Sequence, residues 1–197
     1  MVNIPKPSKE EVDKYLLSWN ELDNYVAQEK SLYKLFHKTY PKNNDIDDIL
    51  IKASALNTFY STNIFSIYNV AKHILELNID DKLKKGDISL VSDITNITIS
   101  GVDKHFYSFA TKYCSHHNPD DYPIYDGYVE KVLMYFKGKD KFYKFTAKDL
   151  KDYPKFKDIL INFKKYYNLD EYKLKEIDRY LWQLGKKYFP KKYKKKS

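Results

Sequence analysis

The chain is poor in the residues that usually carry staples and metal clusters. It has one cysteine, Cys114, among 197 residues. A single thiol cannot close an internal disulfide, and it excludes a four-cysteine zinc site or an iron–sulfur cluster held within the chain. A reducing compartment is the natural setting. Glycine and proline number 5 and 7, so turn-rich β architectures are not expected. No apolar run approaches the roughly 18 residues of a membrane helix. The N-terminal "MVNIPKPSKEEVDK" turns polar at once and has no apolar signal-peptide core. The expectation is a soluble cytoplasmic protein with no membrane contact. Arg179 is the only arginine, whereas Lys, Asn, Ile and Tyr abound, as an AT-rich genome writes.

What the chain has in excess is lysine and aromatic surface. The formal net charge is +8. Seven lysines from Lys186 to Lys196 supply nearly all of it. Such an end attracts nucleic acid or another anionic surface, or simply keeps the chain soluble. With 20 Tyr and 11 Phe, a chain of this length can bury roughly two-thirds of its unfolded surface without a metal or disulfide. Residues 1–190 read as a single helical domain and 191–197 as a basic tail. No internal repeat and no long linker intervenes.

Helical periodicity dominates. Ser8 followed by acidic residues is a good helix start, and Val12, Tyr15, Leu16 and Trp19 share a face. Asp45 or Asp47 caps the helix carrying Ile49, Leu50, Ala53 and Leu56. After a break at Ser61 to Asn63, the residues Ile64, Ile67, Tyr68, Ala71, Ile74 and Leu75 repeat at three and four. The β-branched "ITNITIS" reads as a short strand or irregular. Further helices follow in "KHFYSFATKYCSHH", "GYVEKVLMYF", "KFKDILINF" and "KLKEIDRYLWQLGKKYF". The fold class is all-α, a compact orthogonal bundle of about eight helices.

One segment stands apart. In "HHNPDDYPIYDGYVEKVL" two prolines stiffen an acidic loop, and Asp126 then sits at the start of an apolar helix. Its local reading is an N-cap, a role worth about 1 kcal/mol. Pro123 to Val129 also resembles the defining segment of the helix-hairpin-helix DNA glycosylases: proline, two mostly apolar residues, Asp, two residues, Val. The order of helices from about residue 50 to 190 resembles the 8-oxoguanine-glycosylase-like fold. The hairpin segment "ISGVDKH" keeps Gly101 and Val102 but has Asp103 where the family has a second glycine, so the hairpin is degenerate. In bifunctional members a lysine opens the second hairpin helix. Ungapped counting from Asp126 lands on Tyr107 or Ser108, with Lys104 and Lys112 the nearest lysines.

The resemblance implies a DNA glycosylase that flips a damaged or modified base out of duplex DNA, in repair or in defence against modified phage DNA. It implies that Asp126 stabilises the oxocarbenium-like sugar and that Lys112 is a Schiff-base candidate. Lys104, Ser108, Tyr60 and Asn63 become DNA-contact candidates, with Phe59 at the same helix break. Trp182 and Gln183 become candidates for stacking on the base and bonding its edge. Cys114 and His117 share a helix face, but no second ligand pair accompanies them, so neither a metal nor another cofactor is expected. The competing classes are a non-catalytic nucleic-acid-binding or interaction module on the same scaffold, and a small interaction protein whose tail serves solubility.

Overall fold

The computed structural model describes residues 3–190. These form ten α-helices and one two-stranded antiparallel sheet. In chain order they are α1 (Lys9–Trp19), α2 (Asp23–Lys34), α3 (Ile46–Tyr60), α4 (Ile67–Leu77), α5 (Asp80–Lys85), α6 (Ser89–Thr95), β1 (Asn96–Ile99), β2 (Val102–His105), α7 (Tyr107–His117), α8 (Gly127–Asp140), α9 (Tyr153–Tyr166) and α10 (Leu174–Tyr188). The fold is a compact all-α bundle. It exceeds the expected count because α5 and α6 form in a segment with little periodicity. None of the described helices is long and apolar enough to cross a membrane. The basic tail, 191–197, lies outside the described residues.

Caps set the helix starts where the sequence places them. The Ser8 hydroxyl accepts from Glu11 N at 3.3 Å. Asp45, not Asp47, caps α3, accepting from Asp47 N and Asp48 N at 2.9 and 3.2 Å. The core is continuous: α10 packs on α1 and α8, α3 on α4 and α7, and α6 on α7 and α9. Phe136 of α8, Phe163 of α9 and Leu181 of α10 are fully buried, each contributing roughly 1.5–3 kcal/mol. The phase of α4 differs from its expected stripe. The helix starts at Ile67, turning Val70, Ala71 and Ile74 inward and leaving Tyr68 exposed.

The segment around Gly101 becomes a β-hairpin. Asn96 faces His105 and Ile99 faces Val102 in register. Ser100 and Gly101 both take positive φ, 52° and 77°. Two left-handed residues in succession suit a tight turn whose twist matches the strands. Thr98 hydrogen-bonds Asp103 across the pair at 2.7 Å. Ile97 alone is buried, so the hairpin stands on the body rather than within it.

Gly185 governs how closely α8 and α10 approach. A Cβ there would lie 2.5 Å from Tyr128 Cβ and 2.8 Å from the Tyr128 carbonyl oxygen. Tyr128 follows Asp126 by two residues, so this contact locates the start of α8. Gly185→Ala should lower stability by about 1–3 kcal/mol despite its better helix propensity. Gly138→Ala, with nothing within 4 Å of the new methyl group, should raise it by about 0.5–1 kcal/mol. Urea denaturation of both variants checks the pair of opposite signs.

Candidate functional site

A cavity of about 240 Å³ opens between α2, the end of α3, α7, the start of α8 and α10. Trp19, Tyr25, Tyr128 and Trp182 give it aromatic walls. Lys112 and Asp126 meet at its edge. A shallower groove adjoins it and shares Tyr60, Ser61 and Asp126. One bank of that groove is the α3–α4 turn, with Thr62 and Ile64; the other is the exit of β2 and start of α7, from His105 to Ser108. Asp126 therefore lines both the cavity and the groove.

The Asp126 carboxylate divides its labour. Oδ1 accepts from Tyr128 N at 2.8 Å, capping α8. Oδ2 stands 3.8 Å from Lys112 Nζ. Lys112 lies in the second turn of α7 and is only 2% exposed. Its amine is 2.6 Å from Ser108 Oγ and donates to the Tyr125 carbonyl at 3.0 Å. These bonds tie α7 to the end of the proline-stiffened loop, just before Asp126. Burial holds Lys112 below the ordinary lysine range; Asp126 and Asp178 oppose that, and Lys175 adds to it. An amine in this state is a better nucleophile than a solvated lysine.

The opposite wall belongs to α10, which carries two stripes. Ile177, Leu181 and Leu184 enter the core, while Lys175, Asp178, Arg179, Trp182 and Lys186 line the cavity. Glu29 of α2 bridges to this wall. It pairs with Arg179 at 2.7 Å and Lys175 at 3.4 Å, and accepts from Trp19 Nε1 at 3.2 Å. Burial would raise its pKa, but Lys175 and Arg179 bring it below the usual value. Trp182 packs edge-on against Tyr25, with ring centroids 4.8 Å apart, and Lys186 Nζ lies 4.8 Å from the Trp182 ring centre. Among the described residues Asp178 has no such ion pair. Loss of water pushes its pKa up to about 6, with Lys175 and Lys112 opposing and Asp126 and Glu29 reinforcing.

The sequence candidates separate in space. Asp126, Lys112, Tyr60 and Trp182 gather at the cavity, and Ser108 touches Lys112 from the groove side. Gln183 does not join them. Its amide turns into the protein and donates to the Tyr15 and Arg179 carbonyls at 2.8 and 3.2 Å, because the cavity stripe of α10 passes through Trp182 instead. Lys104 is exposed on β2, and Asn63 is exposed with φ 57°; neither lines the cavity or the groove. Tyr60 points inward rather than out as a wedge, its hydroxyl 2.9 Å from His116 Nε2. Phe59 lines the cavity, and the most exposed aromatic at that turn is Phe65, 98% exposed. Cys114 is buried in the core, and His117 faces Asn43 and Lys52. Among the described residues no group of three or more His, Cys, Asp or Glu could hold a metal. Sequence reasoning missed Glu29, Lys175, Asp178 and Phe65. The signal for the α10 residues was a polar stripe interrupted by a tryptophan.

Comparison with known proteins places the chain. The family model HI_0787_N, described as an N-terminal domain, matches residues 11–121. An uncharacterized protein of Haemophilus influenzae (strain ATCC 51907 / DSM 11121 / KW20 / Rd) is 55% identical over 147 residues, covering 74% of this chain and 70% of that protein. The chain belongs to the HI_0787_N family. No solved structure matches it. The family span includes Tyr60, Lys112 and His116, while Asp126 and the α10 wall lie beyond it.

The desolvated Asp178 makes stability depend on pH in a defined direction. Its folded pKa of about 6 lies above the roughly 3.9 of an unfolded aspartate. Folding therefore favours its protonated form, an advantage complete below about pH 4 and lost as pH rises through about 6. Asp178→Asn should match the wild type in thermal stability near pH 3.5 and exceed it by a growing margin up to pH 7. Melting curves across that range test the sign; a margin that shrinks with rising pH would contradict the assignment.

Proposed function

We propose that the protein is a DNA glycosylase-like enzyme that extrudes a damaged or modified base and cleaves its C1′–N bond. The observation that carries this reading is a desolvated lysine amine 3.8 Å from an aspartate that caps a helix at the junction of cavity and groove. On this reading the groove would take a strand, and the cavity, walled by Trp19, Tyr25, Tyr128 and Trp182, the flipped base. The aromatic walls would stack on the base, and the mixed charges of α10 would meet its polar edge. Asp178, half-buried in the cavity wall, would donate to that edge below about pH 6 and accept from it above.

The chemistry then follows from the two central groups. The unprotonated Lys112 amine bonds to C1′ as the C1′–N bond breaks, and the electron pair of that bond leaves with the base. Asp126 offsets the positive charge that develops on the sugar. The new ammonium passes its proton through Asp126 to the departing base. The C1′–O4′ bond then breaks as the nitrogen lone pair forms C1′=N, and the remaining N–H proton passes to O4′; water hydrolyses the resulting Schiff base and frees Lys112. Phe65, exposed beside the groove, would fill the gap the extruded base leaves in the stack.

A non-catalytic nucleic-acid-binding or interaction module on the same scaffold is the second reading. The observation in its favour is the β-hairpin at Asn96–His105, where the glycosylases that the sequence resembles present a glycine loop to phosphate. The two readings part in one assay. Duplex oligonucleotides carrying a panel of modified bases are incubated with protein, then cut at abasic sites with alkali. The enzyme reading expects cleavage of at least one duplex by the wild type, a loss of about 10²-fold or more in Asp126→Asn, and no cleavage by Lys112→Met. Asp126→Asn keeps the helix cap, so its fold should survive. Phe65→Ala should weaken processing of duplex more than of single strands. Salt-sensitive binding without cleavage on any substrate supports the module instead.

A further inference from the structure

The groups around Lys112 include a pair that the glycosylase reading does not use. Lys112 and His116 stand one turn apart on the same face of α7, and Tyr60, the last residue of α3, touches both. The Tyr60 ring centre lies 5.2 Å from Lys112 Nζ. The Tyr60 hydroxyl lies 2.9 Å from His116 Nε2. His116 is 7% exposed and is backed by Phe36, ring centres 5.4 Å apart. Directly after Tyr60 the backbone turns left-handed at Ser61, φ 49°, so the ring hangs from a helix end. Its hydroxyl is what anchors it.

We propose that Tyr60 and His116 are positioning residues for Lys112: their hydrogen bond holds the Tyr60 ring as a lid that keeps water from the amine. The ring acts in two opposite ways. Its face attracts an ammonium, an effect worth about one and a half pKa units for a desolvated pair. Its bulk excludes water, and full burial moves a lysine by up to about 3–5 units the other way. Exclusion wins, so a loosened ring returns Lys112 toward ordinary lysine behaviour.

The surrounding charges are compatible with a lasting clamp. Lys112 faces Asp126 at the start of α8, Asp178 and Lys175 of α10, and Ser108 of its own helix. His116 faces Lys175, His37, His117 and Lys112. Burial and those positive or basic neighbours keep its imidazole neutral. The ring nitrogen thus keeps the same relation to the phenol throughout the range in which Lys112 titrates.

The clamp serves catalysis only if Lys112 is the nucleophile, but its existence is testable without DNA. Full-length protein is labelled with lysine enriched in 13C at Cε, and the resonance absent from Lys112→Met is assigned to Lys112. Its shift is followed against pH in wild type, Tyr60→Phe, His116→Leu and His116→Gln. In wild type it should titrate below the exposed lysines. Tyr60→Phe and His116→Leu should each move it upward by about half a pKa unit or more. The double variant should move it no further, and His116→Gln, which retains a hydrogen-bonding side chain, should stay near wild type. A Lys112 resonance that titrates with the bulk lysines in wild type, or that does not respond to Tyr60→Phe, overturns the proposal. If His116→Leu fails to fold, Tyr60→Phe and His116→Gln decide it alone. A clamp confirmed in a protein that releases no base would leave this inference standing and remove the glycosylase reading.

Discussion

Burying an amine without a full counter-charge is costly, and the arrangement around Lys112 depends on how that cost is met. A lysine at 2% exposure either finds hydrogen bonds and an opposite charge or gives up its proton. Lys112 does part of each. Ser108 and the Tyr125 carbonyl take its hydrogens, and Asp126 stands just beyond hydrogen-bonding distance. To supply those partners, the proline-stiffened loop must end against α7, and α8 must begin within reach of Lys112. Gly185 permits the second condition by letting α10 press against Tyr128. A backbone contact remote from the chemistry in sequence thus sets where the carboxylate stands.

A second buried lysine shows why burial alone does not mark a site. Lys52 is fully buried, and burial lowers its pKa to about 8, with Asp80 and Asp48 opposing. Yet it donates to the Lys42 carbonyl and Asn43 Oδ1, both at 2.7 Å. Asn43 is in turn held by Asp80 and by the Tyr113 hydroxyl. That network is closed and ties α3, α5 and α7 together. Lys112 differs because it lines a cavity and stands near a carboxylate, Asp126, without hydrogen-bonding it.

Much of the frame was legible in the sequence. Ser8, Asp45 and Asp126 begin helices for the local reason that a side-chain oxygen satisfies free backbone N–H groups. Those rules act within a few residues, so sequence reveals them. The direction of Tyr60 was not legible, because a residue at a helix end can face either way and only His116, 56 positions along, settles it. Phe65 escaped notice because apolar residues ordinarily pack inward, and periodicity does not say which member of a short turn is left outside. The α10 stripe of Lys175, Asp178 and Arg179 resembled a solvated face; the aromatics of α1 and α2 that close over it come from far away in the chain. The hairpin at Asn96–His105 rests on two left-handed residues, of which only Gly101 announces that conformation.

The central claim is that one amine, that of Lys112, meets C1′ beside Asp126. Borohydride reduction during reaction with a substrate or abasic duplex, followed by peptide mapping of the protein–DNA adduct, tests it most directly. The account predicts a single adduct within the α7 peptide, at Lys112. Base release with no adduct, or an adduct on Lys104, Lys151 or another exposed lysine, would contradict it.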